Sequence, residues 1–64
     1  MNNTKLTSVK LLKELYGKFK LATVNTSMTL QKLTNRSIDL YLDDVDFKDR
    51  IELHDKLIIS GSNL

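Results

Sequence analysis

Between Leu6 and Leu11 polar and apolar side chains alternate, with Thr7, Val9 and Leu11 on one face and Leu6, Ser8 and Lys10 on the other. This period of two predicts a short β-strand over 6–11 whose first face is buried; Leu6 is the misfit on the polar face. The period then lengthens. Leu12, Leu15, Tyr16, Phe19, Ala22 and Thr23 recur at the spacing of one helical stripe, with Lys13, Glu14, Lys18 and Lys20 mostly opposite, which predicts a helix over about 12–25. Asn25-Thr26-Ser27 is turn chemistry, and Thr29 stands where its hydroxyl can cap a second helix over about 30–43. Around that helix Leu40, Leu33, Ser37, Leu30, Tyr41, Thr34, Ile38 and Leu42 fill an arc of about 200°, wider than one neighbouring helix can cover.

After Asp43-Asp44-Val45-Asp46, the residues Phe47, Ile51, His54 and Ile58 share one helical face with Leu57 beside them. A third helix is expected over about 46–59, with Asp46 as its cap and Asp49 in its first turns, where carboxylates favour the helix dipole. Leu57-Ile58-Ile59 also suits a short strand. Ser60-Gly61-Ser62-Asn63 reads as a frayed tail. The pattern divides the chain into residues 1–44, two helices behind a strand, and an acidic extension over 45–64.

A single strand leaves its backbone donors and acceptors unpaired, and short helices offer no ladder partner, so the strand asks for a second chain. Length points the same way. A chain of 64 residues makes one small domain with little core, and oligomerisation, metal or disulfides usually make up the deficit. Cysteine is absent, which excludes disulfides and thiolate metal sites. A homodimer is the remaining device, with helix 30–43 at its centre.

Charge separates the two parts. Through Leu42, Lys5, Lys10, Lys13, Lys18, Lys20, Lys32 and Arg36 face only Glu14 and Asp39, a balance of +5; from Asp43 onward Lys48, Arg50 and Lys56 meet Asp43, Asp44, Asp46, Asp49, Glu52 and Asp55, a balance of −3. A basic front and an acidic back point to a nucleic-acid face on the first and a different task for the second. Two solvated faces of opposite sign would give the same pattern.

Enzyme chemistry finds little to build on. One His, no Cys, no Gly-rich phosphate loop and no paired ligand spacing supply neither nucleophile nor metal centre, so no cofactor is expected. His54 reads as a packing or surface residue. The run Asp44-Val45-Asp46-Phe47-Lys48 lacks the Gly and distal Glu of a calcium loop. No signal peptide or membrane span is visible, which implies a cytoplasmic protein, and the N-x-S/T triplets at Asn2, Asn25 and Asn35 are then chance.

The order strand, helix, turn, helix from Val9 to Leu42 resembles the ribbon-helix-helix family of DNA-binding proteins. That resemblance implies a mostly α fold with one short strand: an intertwined homodimer whose strands form a two-stranded antiparallel ribbon, followed here by a C-terminal helical extension. It also implies base contacts from Lys10, Ser8 and Leu6 on the ribbon's outer face in the major groove. Phosphate contacts would come from Thr29, Leu30 and Gln31 at the start of the second helix, with Lys32 and Lys13 adding charge. Val9, Leu11, Leu15, Phe19, Leu33, Ser37, Ile38 and Tyr41 would form the dimer core. The chain departs from the family pattern where Leu12 replaces a frequent Pro and Ser27 a frequent Gly, which leaves Asn25 to take any φ > 0 turn conformation.

These features together lead to the expectation of a transcriptional repressor that binds double-stranded DNA as a homodimer, with further assembly on DNA open. The alternative is an antitoxin-like or phage- or plasmid-type inhibitor that grips a protein partner through residues 45–64.

Overall fold

The structure, a computed structural model, describes residues 3–57. Within them three helices follow one another: α1 (Lys13–Thr23), α2 (Leu30–Asp43) and α3 (Val45–Leu53). No strand forms among the described residues. This overturns the ribbon-helix-helix class and the intermolecular ribbon expected with it, because the described part is all-helical. The physical reason lies in residues 6–11. Their alternation is real, but a strand exists only against a ladder partner, and neither α1 nor α2 offers one. The face expected to be buried is not: Val9 is 70% exposed, and Thr7 and Leu11 are exposed as well.

α1 begins without help from a cap. Leu12 occupies the N-cap position with extended backbone and makes no side-chain bond there, so the helix relies on its apolar stripe and on the Glu14–Lys18 pair. At 3.9 Å and well exposed, that pair contributes a few tenths of a kcal/mol. The end of α1 is built by threonines. The Thr23 hydroxyl donates to the Phe19 carbonyl at 2.9 Å, while both the backbone N–H and the hydroxyl of Thr26 donate to the Thr23 carbonyl, at 3.0 and 2.9 Å. Thr26 Oγ1 also accepts from the Met28 N–H at 3.1 Å. A doubly used hydroxyl thus holds the turn without a glycine at position 27.

α2 starts at its cap: Thr29 Oγ1 accepts from the Lys32 N–H at 3.1 Å, and the Thr29 carbonyl accepts from the Leu33 N–H at 2.9 Å. It ends where α3 begins, and Asp44 makes both joints. Its N–H donates to the Leu40 carbonyl at 2.7 Å, closing α2, while its carboxylate accepts from the N–H groups of Asp46 and Phe47 at 3.0 and 3.2 Å, opening α3. The cap of α3 is therefore Asp44 and not Asp46. α3 is also shorter than the periodicity suggested: it stops at Leu53, and His54 leaves helical geometry with φ −88° and ψ 73°. Ile58, Ile59 and the expected tail lie outside the described residues.

Packing is sparse. α2 and α3 rest on each other, with Ser37, Tyr41 and Phe47 half-buried, and these are the two described helices whose backbones approach closely. The Tyr41 hydroxyl donates to Glu52 Oε2 across this joint, and Lys48 Nζ lies 6.0 Å from the Tyr41 ring centre. None of the described residues is fully buried.

Candidate nucleic-acid and association surface

The candidate base-reading residues, Leu6, Ser8 and Lys10, are exposed on an irregular segment preceding α1. Without the ribbon, pleating does not impose a common outward face on them. Lys13 is the first residue of α1 and is exposed.

At the other end of the candidate surface, α2 presents its first turn. Thr29 uses its hydroxyl on Lys32, so the amides of Leu30 and Gln31 are the first-turn donors for which helix geometry provides no acceptor. They carry the positive end of the helix dipole. Lys32 is already engaged: its ammonium donates to the Ser27 carbonyl at 2.8 Å, which pins the turn against α2. Two ammonium donors remain for another acceptor. Asn35 sits one turn further on, its amide donating to the Gln31 carbonyl at 2.8 Å.

Between these sets lies an apolar groove of about 460 Å³ lined chiefly by Leu11, Leu15, Phe19, Ala22, Leu30 and Leu33. Four of the residues expected in a dimer core, Leu11, Leu15, Phe19 and Leu33, come together here. Tyr41 instead reaches α3 through Glu52, Ser37 is half-buried, Ile38 is 55% exposed, and Val9 stays in solvent. A smaller recess of about 270 Å³ shares Tyr16, Phe19 and Leu30 with the groove and is lined also by Thr23, Met28 and Thr29, with Lys20 Nζ 5.7 Å from the Tyr16 ring centre. Leu11 directly follows Lys10, and Leu30 directly follows Thr29, so the groove adjoins both sets of candidate DNA contacts.

Sequence reasoning missed three connections. Lys32 to Ser27 and Asp44 as a double cap each had a local signal, a Lys after a polar turn and an Asp ahead of Val45. Tyr41 to Glu52 had none, because eleven positions separate them and only the α2–α3 bend brings them together. That bond, with smaller contributions from desolvation and the Glu52 charge, raises the Tyr41 pKa above the usual tyrosine value, since ionising the phenol would remove the donated proton and set two anions side by side.

Among the described residues no group of three or more His, Cys, Asp or Glu side chains could hold a metal ion, and no helix is long and apolar enough to cross a membrane. Comparison with family models, with curated proteins and with solved structures finds no match for this chain.

Proposed function

We propose that this chain is a small sequence-specific DNA-binding regulator, a repressor that works as a homodimer and occludes the DNA it occupies. The observation that carries this reading is the uneven charge: seven basic residues against Glu14 and Asp39 through Leu42, on a chain whose overall balance is only +2. A dimer doubles the front to about +10, enough to release several phosphate counterions on binding. In this reading the exposed segment bearing Lys5, Leu6, Ser8 and Lys10 reaches base edges, where a Lys can donate to guanine O6 and N7 and a Leu can meet a thymine methyl. The amides of Leu30 and Gln31, with Lys32 beside them in the chain and Lys13 at the start of α1 adding charge, hold phosphates and set the orientation.

The test is selection of bound DNA from a random duplex pool, with a salt titration of the winners. A recurring half-site and a steep fall of affinity with salt are the expected results. No enrichment above the input pool would overturn the reading. The −3 balance of residues 43–64 favours a second reading in that event, a protein-partner inhibitor of the antitoxin or phage type acting through α3 and the residues C-terminal to it.

A further inference from the structure

We propose that the apolar groove formed by Leu11, Leu15, Phe19, Ala22, Leu30 and Leu33 is the seat of a second copy of this chain, so that folding is completed by self-association. This deepens the DNA-binding reading, which rests on a dimer, by seating it at the groove where only four of the eight expected core residues lie. Surface area carries the argument. The chain exposes 6317 Å², whereas a folded monomer of 7.4 kDa exposes about 4,200 Å² by the usual scaling. The excess, about 2,100 Å² per chain, is shared between the irregular segment before α1 and the open helix faces, and less than half of it supplies the ~800 Å² per partner of a standard interface. The radius of gyration agrees: 13.5 Å, against about 10.7 Å for a compact chain of this length.

The groove is an apolar concavity shared by α1 and α2. Its volume accepts several aliphatic side chains, the number that one or two turns of an amphipathic helix project. α1 has no helix of its own chain resting on its stripe, and α2 is covered on one flank by α3 and left open on the other. A second copy brings matching stripes at equal concentration.

The full chain contains no cysteine, so a single introduced one takes a nitroxide label cleanly. Labels are placed at the groove rim (Lys18→Cys), in its floor (Ala22→Cys), on the open flank of α2 (Leu42→Cys) and on its polar face (Asp39→Cys). Mass by sedimentation equilibrium and label mobility are measured against protein concentration, without DNA. The expected result is a mass of twice 7.4 kDa with labels at 18 and 22 slowed roughly tenfold as dimer forms, while the label at 39 keeps the mobility of an exposed side chain. The rim label serves if the floor variant does not fold. A monomeric mass with cooperative unfolding at every concentration would overturn the proposal. So would a dimer that slows only the label at 42, or groove labels whose immobilisation is independent of concentration, which would mean that the groove is filled from within the chain. A dimer seated in the groove that binds no DNA would leave this interface standing and remove the DNA reading alone.

Discussion

Gly17 lies on the side of α1 away from its apolar stripe, and a methyl group added there would meet nothing within 4 Å. Its cost is therefore pure backbone entropy. Gly17→Ala should stabilise the protein by about 0.5–1 kcal/mol, read from the shift in denaturant midpoint at fixed protein concentration. A loss of stability would show that this face of α1 is in contact with something a methyl group disturbs. Tyr41 supports a prediction in pH. Its folded-state pKa is raised, chiefly by the bond to Glu52, so the folded state holds the phenolic proton more tightly than the unfolded chain does. The stabilisation is complete below the ordinary tyrosine range near pH 10 and is lost as pH climbs through the raised folded value. In Tyr41→Phe the part of the alkaline destabilisation due to this group should vanish, and unfolding midpoints above pH 10 should fall less steeply than in the parent. Equal slopes would mean that the Tyr41–Glu52 bond does not persist in solution. Lys10 belongs to this scale too. Lys10→Ala should weaken specific DNA binding by about 1–3 kcal/mol and relax preference at one base pair per half-site, with stability unchanged; identical selection profiles for variant and parent would make Lys10 an ordinary solvated lysine.

At the scale of elements, the joints matter more than the helices they join. Asp44 closes α2 with its N–H and opens α3 with its carboxylate, so Asp44→Ala should cost about 0.5–2 kcal/mol and loosen α3 first. Amide exchange in residues 45–48 would report it, quickening before any change at the start of α2. Uniform quickening throughout would show that α2 and α3 open as one unit. Thr29 makes the corresponding joint between the turn and α2. Thr29→Ala should also cost about 0.5–2 kcal/mol and, if the amides of Leu30 and Gln31 hold a phosphate, should lower affinity about equally for selected and random DNA. Lost stability with unchanged affinity for both DNAs, measured where the variant stays folded, would leave Thr29 as a cap alone. The helices themselves were legible. The 3.6-residue stripes of Leu15, Phe19 and Leu33, Tyr41 mark α1 and α2, and a Thr ahead of an apolar run marks the start of α2, because both signals are local. The cap at Asp44 and the early end of α3 at Leu53 were less so: three aspartates within four positions all qualify as caps, and the apolar spacing of His54, Leu57 and Ile58 continues past the point where the backbone leaves the helix.

The whole molecule is where local pattern and outcome part. Val9 and Leu11 alternate with Ser8 and Lys10 as a half-buried strand would, yet residues 3–12 form no strand, since a ladder is a relation between two segments and not a property of one. The charge split between Lys5–Arg36 and Asp43–Asp55 was equally plain in the chain, and the candidate DNA contacts drawn from it rest on composition and position.

What the amino-acid sequence determined by itself is the set of features that depend on neighbours a few residues apart: three amphipathic helices, their turns, the Thr29 cap, and a wide arc of apolar positions around α2. What the tertiary structure decided is how those pieces meet. It set α3 against α2 through Tyr41 and Glu52, gathered Leu11, Leu15, Phe19, Ala22, Leu30 and Leu33 into one open groove, and left the alternating segment without a ladder. The division has a physical cause. Helical hydrogen bonds close within four residues and are written in local spacing, whereas strand pairing and core burial depend on surfaces brought from far along the chain or from another chain.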